Sequence, residues 1–343
     1  MEGKCQIIFS NLSTNFESTL MQQDFNNNNM PAASSHLPLI SVVVATYNGA
    51  RYIREQLDSI IHQTYSNIEV VITDDRSTDE TMSILEEYAA QYPNIRVYQN
   101  ETNLKYVKNF EKGMRLAKGD LIAPSDQDDV WELDKLQVLM DHIGDHAIIY
   151  CNSVLIDAQG KEMGQQLSDI KRLDSFDSCL NYAIGNSAPG HAMLIRKQVI
   201  EDCGTFPTMI PHDYWLGFVA TFNSQVYFLD RVMVRYRQHD ANVFGAAKAA
   251  DRTAPKAKKI AKTVLQEKAR ERIYLLYQKV PDALVAEKKV FKALYESYQS
   301  FSLYNNFKRM FTFFAHNGPM MAYKRRNAFR RWLFCLKMFV KIE

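Results

Sequence analysis

Three carboxylates stand within four positions in "SDQDDVW": Asp126, Asp128 and Asp129, followed by Val130 and Trp131. Like charges this close raise one another's cost of ionisation, so something must offset it. Three chemistries fit. A carboxylate at the start of the next helix can cap it, or two carboxyl groups can divide general acid and general base between them. The third is a hard divalent cation, Mg²⁺ or Mn²⁺, which takes few carboxylates and leaves its other positions to water and phosphate oxygens. Such an ion also explains how neighbouring acids stay ionised together.

Other polar clusters have the same character. "TYNG" (Thr46 to Gly49) reads as a turn into a helix, and "DDRSTD" (Asp74 to Asp79) follows a second apolar run. In "PHDYWL", His212 and Asp213 precede a helical stretch, so Asp213 is either a cap or a base. In "VRYRQHDAN", Arg235, Arg237 and His239 alternate. Alternation along a strand puts them on one face, which suits phosphate oxygens.

The elements between these clusters decide where they lie. "LISVVVA" (Leu39 to Ala45) is a continuous β-branched run of the kind buried on both faces of a parallel sheet, and "ARYIREQLDSIIHQ" follows with helical spacing. "IEVVIT" (Ile68 to Thr73) is the next strand, and "STDETMSILEEYAAQY" opens with Ser77 and Glu80 spaced as a capping box. "IRVYQ" (Ile95 to Gln99) is a strand, "LKYVKNFEKGMRLAKG" a helix closed by Gly119, and "DLIAP" a strand running into the acidic cluster. A helix over "ELDKLQVLMDHI" and a strand over "AIIYCNSVLID" continue the alternation, which predicts an α/β, Rossmann-like doubly wound sheet. Ligands of such sheets sit outside the carboxyl ends of the strands, so the polar clusters share one rim.

Composition excludes more than it selects. The 343 residues carry 41 Lys+Arg against 39 Asp+Glu, so the whole chain advertises no polyanionic partner, and no nucleic-acid motif surrounds its basic segments. Five scattered cysteines without CxxC spacing argue for a reducing compartment. The N-terminus lacks a signal-peptide pattern and no run approaches the ~20 apolar residues of a span, so the expected location is cytoplasmic. Residues 1–37 read as a disordered leader, 38–245 as the α/β domain, and 246–343 as a basic connector followed by helices.

The ordered set "VVVATYNGARYIREQLDSI", "VVITDDRSTDET", "NLKYVKNFEKGMRLAKGDLIAPSDQDDVW", "HDYW" and "RYRQH" closely resembles family 2 glycosyltransferases. The resemblance, over about Pro38 to Gly245, implies a GT-A fold and an inverting, metal-dependent transfer from a nucleotide-diphosphate sugar. It puts Thr46, Tyr47, Asn48, Asp74 and Asp75 around the nucleotide base, and Asp126 near the ribose. Asp128 would hold Mn²⁺ or Mg²⁺ with Asp126 and His239, while Arg235 and Arg237 approach the diphosphate and Asp129 is a helix cap or a support for its neighbours. Asp213 matches the general base, with His212 where Glu is usual. Gly190, His191, His212, Tyr214 and Trp215 fall in the acceptor region. Lys105 replaces a common Gly and either adds a charge near the phosphates or faces solvent, with solvent the expectation. The "SDQDDVW" form resembles rhamnosyltransferases, implying a deoxythymidine diphosphate rhamnose donor, with UDP-hexoses and UDP-N-acetylhexosamines as alternatives, and a lipid-linked or growing surface polysaccharide as acceptor. A catalytically silent nucleotide-sugar-binding protein is the other reading.

The tail "YKRRNAFRRWLFCLKMFVKIE" sets Lys324, Arg325, Arg326, Arg330, Arg331, Lys337 and Lys341 against Glu343. Residues 322–343 therefore form either a basic amphipathic helix for an anionic membrane surface or a helix docked on the protein with a solvated basic face.

Overall fold

The computed structural model describes residues 37–240, 262–324 and 327–340. The expected leader up to residue 36, the connector through residue 261, and Arg325, Arg326 and Lys341 of the tail lie outside the described residues. The first half alternates: β1 (Ile40–Thr46), α1 (Ile53–Ile61), β2 (Ile68–Asp74), α2 (Thr81–Gln91), β3 (Ile95–Gln99), α3 (Tyr106–Leu116) and β4 (Leu121–Ser125). Then come β5 (Val130–Trp131), α4 (Lys135–His142), β6 (Ile148–Ile156), β7 (Glu162–Gln166), α5 (Leu167–Ile170), β8 (Met193–Arg196), α6 (Lys197–Cys203), α7 (His212–Ala220) and β9 (Val226–Arg237). The C-terminal helices are α8 (Lys262–Lys279), α9 (Val285–Ser297), α10 (Leu303–Ala315), the single turn α11 (Asn317–Met320) and α12 (Ala328–Lys337).

Neighbouring strands run β3-β2-β1-β4-β8-β6-β9-β5, with β7 paired to β6 off that path. The first four are parallel, and β8 is antiparallel to both β4 and β6, so the sheet is mixed. Val42 to Val44 and Val70 to Ile72 have no exposed surface, as expected of strands covered on both faces. Register then builds the rim. Thr46 stands opposite Asp74 and Val44 opposite Ser125, so the chain leaves β1, β2 and β4 on one side. β5 pairs with the end of β9, Val130 opposite Arg235, which brings the residues after β9 back to the acidic loop.

Two local expectations are corrected. Glu80 makes no capping bond at the start of α2, and the Ser77 hydroxyl accepts from the Asn48 N–H at 2.8 Å and donates to Asp74 at 2.5 Å. That stretch braces the rim instead of starting a helix. Nor does Gly119 close α3, which ends at Leu116. Gly119 N–H donates to Ser41 Oγ, and a Cβ there would meet the Leu39 carbonyl at 2.5 Å, so the glycine permits a close approach to β1.

The C-terminal helices dock on the sheet-bearing part. Phe291 meets Phe218 edge-on at 5.6 Å, Asn181 Nδ2 donates to the Pro319 carbonyl, and Tyr323 Oη donates to the Ile184 carbonyl. The fully buried Arg309 ties three helix ends together, donating to Ser297 O, Asn306 Oδ1 and Met338 O. The tail helix α12 is thus docked, through Phe334, Cys335 and Met338. No described helix is long and apolar enough to cross a membrane.

Candidate active site

The rim opens into a cleft of ≈ 830 Å³. Its walls include Thr46, Tyr47, Asn48, Asp75, Asp126, Asp128, Gly190, His191, His212, Asp213, Tyr214 and His239, so the structure brings together residues spread over nearly 200 positions of sequence. Asp74, Arg235, Arg237 and Trp215 are not among the wall residues.

On the β1 side the turn is set by Asn48, whose φ of 49° is one that Asn tolerates. Its amide oxygen accepts from Thr78 N–H at 2.8 Å. Gln127, the middle residue of the acidic motif, clasps this turn: Tyr47 N–H donates to Gln127 Oε1 at 2.8 Å and Gln127 Nε2 donates back to Tyr47 O at 3.2 Å. Any Cβ on Gly49 would strike that amide, at 2.3 Å. Tyr47 itself is half exposed over the cleft, available to a flat ligand. Asp74 is buried and accepts from Thr46 Oγ1, Ser77 N–H and Ser77 Oγ, which makes it a brace below the rim. Asp75 accepts from Asn100 Nδ2 and from the N–H groups of Leu104 and Lys105. Lys105, exposed yet part of the cleft wall, sits at φ 70°, ψ 159°, a region that favours glycine.

The three acids of the motif are not equivalent. The Asp128 carboxylate meets His239 Nε2 at 2.7 Å. Asp126 Oδ2 lies 3.7 Å from His191 Nδ1, whose other nitrogen is 3.0 Å from Ser153 Oγ. Asp129 has no exposed surface; its Oδ1 accepts the Arg237 N–H at 3.0 Å, while its Oδ2 has no hydrogen-bond partner and lies 3.8 Å from His191 Nδ1. Burial, reinforced by the charges of Asp128 and Asp126, pushes the Asp129 carboxyl well above its usual value. Of the three crowded acids, this is the one whose ionisation the surroundings disfavour.

Potential metal donors fall into two groups. Among the described residues the three-residue cluster is Asp126, Asp129 and His191, with ligand atoms within 4.8 Å of one another. His239 is not part of it, contrary to the expected trio of Asp126, Asp128 and His239; it forms a separate pair with Asp128. Asp126, Asp128, His191 and His239 line the cleft, whereas Asp129 does not.

The two arginines are corrected. Arg235 donates to Glu162 and to the Gly160 carbonyl. Arg237 is buried, with Nη2 on Glu55 at 2.5 Å, Nε on the Asp128 carbonyl at 2.8 Å, and its guanidinium over the Tyr52 ring. Their shared face is real, but it is turned to acids and carbonyls of the protein. Arg237 therefore holds the acidic loop from behind.

Opposite the acids, Asp213 lies in the first turn of α7, where a carboxylate is favoured, and accepts the Tyr214 N–H at 2.7 Å. His212 stacks on Phe110 at 4.1 Å, and neither ring nitrogen has a hydrogen-bond partner in the protein. Burial lowers its pKa, so the ring is neutral. Gly190 has no room for a side chain, since a Cβ would lie 2.7 Å from His212 Nε2. Tyr214 donates from its hydroxyl to Tyr182 O and is nearly buried. Trp215 departs from the acceptor assignment: it is buried, donates to the Cys203 carbonyl, and packs on Phe218 as a core anchor.

Sequence reasoning missed Gln127 and Lys135. Lys135 is fully buried, donates to the His191 carbonyl at 2.7 Å and lies 3.2 Å from the Trp131 ring centre. Burial brings its pKa down to about 7, against the pull of Cys151, Asp129 and Asp126. Nothing in the sequence marks Lys135 as buried: it begins α4, across a short turn from Trp131 at the end of β5.

A mixed sheet with this strand order, a nucleotide-sized cleft at the parallel strand ends and an acidic loop beside it define a GT-A glycosyltransferase. The comparisons agree, and the chain belongs to glycosyltransferase family 2. The family model "Glycosyl transferase family 2" matches residues 41–204. The dTDP-rhamnosyl transferase RfbG of Shigella flexneri is 31 % identical over 221 residues, 59 % of this chain and 74 % of that protein. An uncharacterized glycosyltransferase of Rickettsia typhi is 28 % identical over 62 % of this chain and 68 % of its own. Among solved structures, S. aureus TarS 1-349 in complex with UDP-GlcNAc matches the fold with a TM-score of 0.53 at 21 % identity, covering 88 % of this chain and 81 % of that one.

Proposed function

We propose that this protein is an inverting, metal-dependent glycosyltransferase that moves rhamnose from deoxythymidine diphosphate rhamnose to a hydroxyl of a lipid-linked or growing surface polysaccharide, working in the cytoplasm. One observation carries the reading: the Asp213 carboxylate and the Asp128–His239 pair line the same cleft from opposite elements, α7 and the loop after β4. The rhamnosyl donor is supported by the name of the Shigella relative and by the "SDQDDVW" motif.

The residues fit a divalent ion. Asp128 and His239 would hold Mn²⁺ or Mg²⁺, because they offer oxygen and imidazole donors open to the cleft while Asp129 stands buried behind them. When bound, the ion supplies Lewis-acid stabilisation of the departing diphosphate. Tyr47 and Asp75 border the place for the base, and Gln127 fixes the turn carrying Tyr47. Asp213 takes the proton of the acceptor hydroxyl as that oxygen attacks the anomeric carbon from the face opposite the diphosphate, which inverts the centre. Tyr106 stays protonated beside it, pushed up to about 12 by burial and by the Asp213 charge.

The test is a donor panel of dTDP-rhamnose, UDP-glucose and UDP-N-acetylglucosamine, assayed for hydrolysis and transfer with Mn²⁺, Mg²⁺ or chelator. dTDP-rhamnose should turn over, chelator should stop it, and Asp213→Asn should abolish transfer while retaining donor binding. Unchanged transfer in Asp213→Asn would remove the base; a UDP-sugar preference would replace the donor.

A further inference from the structure

The last two long helices expose apolar surface on the side turned away from the protein. On α10, Tyr304, Phe307 and Phe311 lie along one stripe at helical spacing, 76 % exposed at Tyr304 and 62 % at Phe311, while Arg309 and Phe313 on the opposite side are buried. On α12 the stripe is Phe329, Trp332 and Leu336, continued by Val340 in the turn that follows, with Phe329 at 65 % and Trp332 at 51 %. Phe334, Cys335 and Met338 face inward. A helix of a soluble protein normally presents the reverse pattern. The stripes adjoin: Phe307 meets Phe339 at 4.8 Å and Phe314 meets Trp332 at 6.3 Å. They form one aromatic face, larger in character than scattered exposed residues.

Charge identifies what covers it. Between Ser297 and Ile342 the sequence has no Asp or Glu, but has Lys308, Arg309, Lys324, Arg325, Arg326, Arg330, Arg331, Lys337 and Lys341, nine cations. Lys308 pairs with Glu296 and Arg309 is buried, so the basic character comes from residue 324 onward. Arg330 and Lys337, seven residues apart and both exposed, flank the aromatic stripe of α12 on the same side. Aromatic side chains, Trp among them, edged by long cations match the acyl–headgroup boundary of a bilayer with anionic lipids. We propose that the outer face of α10 and α12 docks this protein on an anionic membrane surface, with the rings in the boundary and the cations at the phosphates.

The segment between α11 and α12 touches the cleft wall. The Tyr323 ring occupies the place of a side chain at Gly185, where a Cβ would meet its ring at 2.6 Å, and the next residue, Asn186, lines the cleft. The docking does not rest on the glycosyltransferase reading.

The full chain tests this by flotation with phosphatidylcholine vesicles and with vesicles containing roughly 30 mol % phosphatidylglycerol. The protein should float with the anionic vesicles only, and raising salt from about 0.1 M to about 0.5 M should release it. Phe311→Ser/Phe329→Ser/Trp332→Ser should cut binding at least about tenfold, with its melting temperature and nucleotide-sugar hydrolysis unchanged, since these positions are exposed and none of them lines the cleft. Arg330→Glu/Lys337→Glu should reduce binding without touching a ring, which separates a docking defect from a folding defect. No flotation of the wild type, flotation of both variants equal to that of the wild type, or a wild-type dimer that the aromatic variant converts to monomer would overturn the proposal, the last by assigning the face to a second copy of the chain. Hydrolysis measured in the same preparations reports separately on the transferase reading.

Discussion

His239 Nε2 stands 2.7 Å from the Asp128 carboxylate, joining the residue that follows β9 by two positions to the loop that follows β4. In the ion-loaded protein both would turn to the metal. Asp128→Asn and His239→Ala should each weaken Mn²⁺ binding at least about tenfold, read by calorimetric titration in the presence of the nucleoside diphosphate. Asp129→Asn should weaken it far less, because Asp129 is buried and does not line the cleft. A larger loss in Asp129→Asn would move the site to the Asp126, Asp129 and His191 cluster.

Arg237 shows what was legible and what was not. Alternation in "RYRQH" correctly predicts a shared face for Arg235 and Arg237, and the strand is there. It carries no information about which face opens to ligand. That was decided by Glu55 on α1, 182 positions away, and by the Asp128 carbonyl. The parallel half of the sheet was legible because continuous β-branched runs admit few other places. Trp215 was misassigned for the same reason as Arg237: adjacency to Asp213 in sequence is not adjacency in a helix, where successive side chains point 100° apart. Arg237→Lys, which loses the fork on Glu55 and the Asp128 carbonyl, should lower turnover about tenfold or more with the donor still bound; an unchanged rate would mean the acidic loop holds its shape unaided.

Lys105 occupies a backbone region suited to glycine, held there by its N–H bond to Asp75 Oδ2 at 2.8 Å. Lys105→Gly should stabilise the protein by about 1 kcal/mol, raising the melting temperature by about 2 °C. A fall in melting temperature would remove the strain argument.

Lys135 gives a pH signature. Its pKa falls from 10.5 to about 7 on folding, so between those values the unfolded chain binds the extra proton. Stability then rises with pH across that window, and the destabilisation is complete below about pH 7. Against Lys135→Met, the wild type should gain up to about 1.4 kcal/mol per pH unit from pH 7 to pH 9 in urea unfolding. A constant difference between the two proteins would show that the buried lysine keeps its proton throughout.

His212 is where this sequence departs from the usual acid beside the base, and the structure leaves both of its ring nitrogens without a protein partner while burying the ring against Phe110. Orphaned buried polar atoms cost about 1–3 kcal/mol each unless a ligand satisfies them. A neutral imidazole beside Asp213 is suited to bond a sugar hydroxyl, as donor or acceptor, without competing for the proton that Asp213 takes. His212→Phe preserves a ring on Phe110 and removes both nitrogens. The melting temperature should hold or rise, donor hydrolysis should be unchanged, and the KM for the acceptor should increase about tenfold. If the acceptor KM is unmoved while stability changes, His212 serves only to fill the space above Gly190.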